Sequence, residues 1–185
     1  KLELCASHGI CTKEALQKLA DAGVTTYHHN LESSRRFYPN VCTSHTYNDR
    51  INTIKNAKAV GLNVCSGGIF GLGETIEDRI DMALDLRVLE IHSVPINVLT
   101  PIPGTPFENN EEVNPFEILK TISIYRFILP KSFLRYCGGR IKLGEQVKIG
   151  LRCGINSALT GNFLTTTGTT IETDKKMIKE LGYEI

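Results

Sequence analysis

The chain has 185 residues, 41% of them hydrophobic, which is enough to bury a substantial core and excludes a disordered or collagen-like polymer. Twenty-one Lys and Arg against 20 Asp and Glu leave a net charge of +1 with no basic run, so the footprint of a nucleic-acid or anionic-membrane binder is missing. Apolar stretches such as YRFILP are short and interrupted, which excludes a membrane-spanning helix of roughly 20 residues and points to a soluble protein with a small ligand.

In chain order, LELCAS (2–7) reads as a strand. Thr12 then caps a helix in which Ala15, Leu16, Leu19 and Ala20 share a face and Gly23 ends the run. VTTYHHN (24–30) is a second strand, and Tyr47 to Gly61 a second helix with Tyr47, Ile51, Ile54 and Lys58 at helical spacing. LNVCSG is a third strand, after which Thr75 and Asp78 open a helix through Ile76, Ile80, Ala83 and Leu84. SVPINVLTP (93–101) is a fourth strand with a proline-rich exit. Asn114, Pro115 and Glu117 make a strong helix start, and that helix runs to about Ile128. FLRYCGG (133–139) is a fifth strand, GEQVKIGLRC reads as helical, INSALT (155–160) is a sixth strand, and TDKKMIKELG a closing helix.

Alternating strands and helices imply a parallel sheet with crossover helices, either an open doubly wound sheet or a closed barrel. Cys5, Asn30, Cys65, Asn97 and Arg135 recur near the ends of five successive strands, at separations of 25, 35, 32 and 38 residues. A barrel gathers such ends on one rim, whereas an open sheet spreads them out. Six units fall short of the eight in a full barrel of about 250 residues. The chain therefore reads as a single domain, residues 1–185, forming a partial (β/α)8 barrel of about six units whose first two strands lie upstream of Lys1. Lys1 replaces an initiator Met, so the start reads as a cut, and no targeting peptide is visible.

Six cysteines stand at positions 5, 11, 42, 65, 137 and 153 with no C-x-x-C pair, which suits reduced thiols in an intracellular setting. Two thiolates from different strands pointing into one barrel could share an iron-sulfur cluster, although two ligands are too few and both could be small buried hydrophobes. Cys11, Cys42, Cys137 and Cys153 carry no assignment. The stretch from Gly67 to Glu74 permits close backbone approach to a flat ligand, or simply a tight β-to-α turn, and does not match the dinucleotide fingerprint. Glu32 could accept both hydroxyls of a ribose or be a solvated loop acid. Asn97 in an apolar strand needs partners, from a ligand or from neighbouring backbone. Arg135 between Leu134 and Tyr136 requires an anion or an acidic partner.

Taken in order, LELCASHG, YHHNLESS, NVCSGGIFGLGET, SVPINVLTPIPGTP, FLRYCGGR and NFLTTTG resemble the biotin synthase family of radical S-adenosylmethionine enzymes, over essentially the whole chain. The resemblance implies a 2Fe-2S cluster inside the barrel, with Cys5, Cys65 and Arg135 matching three of its four ligands; the fourth is a cysteine on an earlier strand. It also implies a 4Fe-4S cluster that cleaves S-adenosylmethionine, whose C-x3-C-x2-C loop this sequence does not contain. Asn30 matches a residue touching both S-adenosylmethionine and dethiobiotin, Glu32 the acid on the ribose, and Asn97 a dethiobiotin contact. Gly67, Gly68, Ile69 and Glu74 match the S-adenosylmethionine wall, and Thr165 and Thr166 residues near the substrate carboxylate. Glu32 stands where the family often has Asp, and Thr26 where relatives often have Tyr.

The activity implied is sulfur insertion into dethiobiotin: two hydrogen abstractions by 5'-deoxyadenosyl radicals, with a sulfide of the 2Fe-2S cluster closing the ring. The implied partners are an electron donor such as flavodoxin or ferredoxin and a second copy of the chain in a homodimer, in the cytoplasm or, in a eukaryote, an organelle. Two other readings stand beside it. One is a relative of similar layout, of the hydrogenase-maturation or methylornithine-forming type, which generally lacks the second-cluster ligands. The other is an inactive truncation, since edge strands invite aggregation and the radical-generating loop is missing.

Overall fold

Five of the six predicted helices start where a side chain takes up the free N–H groups of the first turn. In the computed structural model, which describes residues 2–162 and 168–184, the Thr12 hydroxyl accepts from Ala15 N at 3.3 Å and opens α1 (Lys13–Asp21). Thr46 and Thr75 open α2 (Tyr47–Ala59) and α3 (Ile76–Val88), each in a reciprocal capping box with Asp49 and Asp78 respectively. Asn114 opens α4 (Pro115–Ile128), with its amide oxygen accepting from Phe116 N at 2.8 Å. Thr170 opens α6 (Ile171–Glu180). The helix read over 144–153 is shorter: a 3-10 segment (Arg140–Gln146) breaks at Gly144, and only Val147–Cys153 forms the regular helix α5. Among the described residues, no helix is long and apolar enough to cross a membrane.

The strands are β1 (Cys5–Ala6), β2 (Thr26–His28), β3 (Asn63–Cys65), β4 (Gly68–Phe70), β5 (Ser93–Val98), β6 (Phe133–Tyr136) and β7 (Ser157–Ala158). All pair in parallel in the order β1-β2-β3-β5-β6-β7, with β4 also beside β5. Sequence order and sheet order therefore agree throughout. A doubly wound sheet would reverse direction at a switch point, and here it never does.

The third predicted strand, LNVCSG, forms β3 alone, and β4 arises in the glycine-rich stretch that reads as a turn. Cys65 pairs with Ser93 and Gly68 with Ile96, so β3 and β4 keep one register on β5. Toward β2 the register slips: His28 faces Cys65, but Glu32 bridges to Gly68, one residue more than the other side accounts for. Leu31 N and Glu32 N both donate to the Gly67 carbonyl, at 2.9 and 3.1 Å, and Glu32 takes a φ of 70°. This is a bulge, a device that re-aims side chains at the end of a strand.

Side chains alternate along each strand. Ala6, Tyr27, Val64, Val94, Ile96, Leu134 and Tyr136 point outward and join Leu16, Ile54, Met82, Leu86, Ile118 and Tyr125 in the core between sheet and helices. Their neighbours Cys5, His28, Cys65, Ser93, Pro95, Arg135 and Cys137 line a cavity of about 850 Å³ on the other face of the sheet.

Candidate active site

Register places the two thiols and the arginine together. Cys5 pairs with Thr26, which pairs with Asn63; Cys65 stands two residues beyond Asn63 and pairs with Ser93, which pairs with Phe133; Arg135 stands two residues beyond Phe133. An advance of two residues over each two strands is the stagger of about one residue per strand that an eight-stranded barrel requires. Cys5, Cys65 and Arg135 thus sit at one height, on the first, third and fifth strands of the sheet. Layers drawn from alternate strands are how such barrels fill their interiors.

All six cysteines are free thiols, and burial first of all pushes the Cys5 and Cys65 thiols above their usual range. The Ser93 hydroxyl donates to Cys65 Sγ at 3.3 Å and, with the Arg135 charge, works in the opposite direction. Arg135 Nε donates to Ser157 Oγ at 3.2 Å. Its expected acidic partner is not found: among the described residues no carboxylate lies within salt-bridge distance of the guanidinium. A cation facing two thiols, with no carboxylate of its own, suits an anionic sulfur-rich group. Among the described residues no three His, Cys, Asp or Glu side chains form a metal site unaided. The donors present therefore fit only part of an iron-sulfur site.

The five strand-end residues do not share one rim. Asn30 and Asn97 stand three residues beyond the thiol level on the second and fourth strands, about 10 Å further along them. They grip the same piece of backbone from opposite sides. Asn30 Oδ1 accepts from Gly67 N at 3.1 Å, and Asn97 Nδ2 donates to the Gly68 carbonyl at 3.1 Å. Asn97 Oδ1 also accepts from Gly138 N at 3.0 Å, so backbone neighbours supply most of the partners its burial demands. The close approach permitted by the glycines is first that of neighbouring chain: a Cβ at Gly67 would lie 2.0 Å from the Pro95 carbonyl oxygen, and one at Gly68 2.5 Å from Met82 Sδ. Ile69 pairs with Asn97, and Thr26 lines the larger cavity beside Cys5.

A second cavity of about 160 Å³ opens beside Asn30, lined by His28, His29, Asn30, Glu32, His45 and Arg50 among others. Burial holds the Glu32 carboxyl above its usual range, against the pull of Arg50, whose Nη1 lies 3.7 Å from Glu32 Oε1. Arg50 also donates to the Asn30 carbonyl at 2.9 Å, so one guanidinium orients both residues. The positive φ at Glu32 is a strained conformation for a residue with a side chain, of the kind that concentrates at ligand sites.

His29 is 3% exposed and its Nε2 has no partner. Burial, then the Arg50 charge, lowers its pKa from 6.5 to about 4. The folded state thus favours the neutral ring, and this contribution is whole above pH 6.5 and lost as pH falls through about 4. The loss is on the order of 3 kcal/mol. Urea midpoints measured from pH 7 to pH 4 should fall less steeply in a His29→Gln variant; equal slopes would place the acid sensitivity elsewhere.

Glu74 does not join either group. Its carboxylate is buried, accepting from Gly71 N at 2.9 Å and Arg79 Nε at 2.7 Å, a support for the turn into α3. Thr165 and Thr166 lie outside the described residues. Sequence reasoning left out Cys137, which lines the larger cavity two residues beyond Arg135 and whose thiol burial pushes up to about 12. The i, i+2 spacing from Arg135 carries that signal. It also left out Arg50, which nothing but its contacts reveals.

Comparisons with known proteins agree with this layout. The radical SAM superfamily profile matches residues 1–86 and the Biotin and Thiamin Synthesis associated domain matches residues 95–184. The first match ends within α3 and the second begins within β5, whose pairing with β3 and β4 joins both parts in one sheet. A biotin synthase of Fusobacterium nucleatum is 95% identical over 185 residues, all of this chain and 51% of its own length. One of Campylobacter hominis is 59% identical over 183 residues, 99% of this chain and 56% of its own. The chain thus spans about half the length of the curated relatives it matches. Among solved structures, methylornithine synthase superposes with a TM-score of 0.82 at 21% identity, over 99% of this chain and 58% of that one. An FeFe-hydrogenase maturase from Carboxydothermus hydrogenoformans superposes with a TM-score of 0.72 at 17% identity, over 96% and 47%. At these identities the likeness shows the barrel fold. The chain is therefore similar over its whole length to biotin synthases, and its two parts match the radical SAM superfamily and the Biotin and Thiamin Synthesis associated domain.

Proposed function

We propose that this chain forms the substrate-holding and sulfur-donor part of a biotin synthase, acting on dethiobiotin. The observation that carries this reading is the single layer holding Cys5, Cys65 and Arg135 around one cavity. When bound, S-adenosylmethionine and a 4Fe-4S cluster supply the radical, and a 2Fe-2S cluster supplies the sulfur. Cys5 and Cys65 would hold the 2Fe-2S cluster as thiolates, and the Arg135 charge favours their anionic forms. Arg135, with no carboxylate of its own, balances the negative charge of the thiolate-held group.

At the upper level, Asn30 and Glu32 receive the nucleoside. The two Glu32 oxygens accept a pair of ribose hydroxyls, and Arg50 keeps them aimed. Gly67, Gly68 and Ile69 form the wall beside them, which Glu74 supports from behind through Gly71. Asn97 keeps one N–H and one lone pair beyond its backbone bonds for the substrate, and Thr165 and Thr166 take its carboxylate. Substrate would be held between the Asn30 and Asn97 level and the layer of Cys5, Cys65 and Arg135, where surrounding protein would exclude water. The same reading carries a flavodoxin or ferredoxin as reductant and a homodimeric assembly in the cytoplasm.

The test is iron and acid-labile sulfide counted per chain after reconstitution, in a polypeptide of the relatives' length, with biotin formed from dethiobiotin measured alongside. Two clusters and product are expected. One cluster per chain would reject the reading in favour of a single-cluster barrel enzyme.

A further inference from the structure

Cys42 stands apart from the cluster layer, on the loop before α2, and its surroundings are those of a reactive thiol. Its Sγ lies 3.3 Å from Ser44 Oγ, and 3.5 and 3.7 Å from the two nitrogens of the His45 ring. Ser44 Oγ in turn lies 3.0 Å from His45 Nδ1. The sulfur is partly exposed. Hydrogen bonds, the Ser44 hydroxyl's foremost, hold this thiol below its usual range, whereas burial raises Cys5, Cys65 and Cys137 above theirs. Thiolate character and access together select which cysteine of a protein reacts.

A second observation points to a ligand beside it. His45 lines the 160 Å³ cavity that also holds Arg50 and His29. His29, 3% exposed, lines the same cavity, and its Nε2 has no hydrogen-bond partner. Cys42 is thus joined to that cavity through His45, which touches its Sγ and also lines the cavity.

We propose that Cys42 is a site of thiol–disulfide exchange, taking a low-molecular-weight disulfide that bears carboxylates, and that the group it acquires obstructs the neighbouring nucleoside cavity. The Cys42 thiol loses its proton to His45 or solvent. The thiolate attacks one sulfur of the disulfide; the new Cys42 S–S bond forms as the old S–S bond breaks, and the departing thiolate takes up a proton. The disulfide is thus the oxidant, one of its halves leaves as the thiol, and no other reagent is needed. The carboxylates of the retained half suit Arg50, which lines the cavity beside His45. This second part rests on the cavity receiving the nucleoside of S-adenosylmethionine.

The full chain would be incubated with glutathione disulfide and each cysteine followed by peptide mass spectrometry. Cys42 should be modified about ten-fold faster than Cys11 and Cys153, the other partly exposed thiols with helix or loop positions. His45→Ala should slow it several-fold with an unchanged circular dichroism spectrum. A Cys42 rate no higher than theirs, or one indifferent to His45→Ala, overturns the proposal. Binding of S-adenosylhomocysteine is then compared before and after modification, with Cys42→Ser as the unmodifiable control. A loss of about ten-fold or more in affinity in the native chain alone supports obstruction; equal affinity overturns it. If the unmodified chain does not bind S-adenosylhomocysteine, the assignment of the cavity fails, and the exchange site stands or falls on the rates.

Discussion

The Cys65→Ser and Cys5→Ser substitutions are each expected to abolish biotin formation, while Cys42→Ser leaves it nearly intact. The two former residues share a layer with Arg135, and the third lies on a loop before α2. Even outer partners of a metal ligand are worth roughly 10- to 100-fold, so loss of a direct thiolate should exceed about 100-fold in product per chain. Serine keeps the size and polarity of the site while removing the soft donor, so the fold should survive with visible absorbance lost. Cys65 is the sharper case, because it is buried and the Ser93 hydroxyl already donates to it. Arg135→Lys should be milder than either, since a cation remains but its planar fork does not. Comparable product yields from Cys65→Ser, Cys5→Ser and Cys42→Ser would remove the layer from the mechanism.

Gly67→Ala is expected to be the most damaging of the small substitutions, at about 3 kcal/mol or more of stability. The new Cβ would lie 2.0 Å from the Pro95 carbonyl oxygen and 3.0 Å from the Pro95 side chain, inside the sheet where β3 gives way to β4. No rotamer relieves a clash between one main chain and another, so β5 has to move, and overpacking of this kind costs about 1–3 kcal/mol even when side chains can yield. Gly138→Ala is the matched comparison. Its Cβ would meet only the Asn97 side-chain oxygen, at 3.3 Å, and should cost less than about 1 kcal/mol. Urea denaturation of both variants decides the matter: equal stabilities would mean that Gly67 serves the ligand and not the sheet. Because Asn30 and Asn97 both bond the Gly67–Gly68 backbone, Gly67→Ala should also weaken nucleoside binding.

The helix starts were legible because they are local. Thr12, Thr75 and the Asn114-Pro115 pair satisfy their own first turns, whatever packs against the helix. GEQVKIGLRC was misread in its first part, because Gly144 takes a φ of 51° and ψ of −134° that no periodicity announces. The third strand was legible as β3 alone; β4, in the glycine-rich stretch that reads as a turn, is a tertiary effect, as is the bulge beside it, because an added residue between His28 and Glu32 can bulge only once the neighbouring strand has fixed the register.

For the site, the alternation of strand and helix, the order of the motifs and the candidate donors Cys5, Cys65 and Arg135 could be taken from the sequence, because each depends on residue type and on spacing within one element. What the sequence could not decide was height. Whether Cys5, Cys65 and Arg135 meet depends on the stagger between strands, which arises only when the sheet curves and pairs. The same pairing put Asn30 and Asn97 on another level, left Arg135 without a carboxylate partner among the described residues, and turned Cys137 toward the cavity. Residue identity determines which chemistry is possible, and long-range register determines which side chains are near enough to perform it.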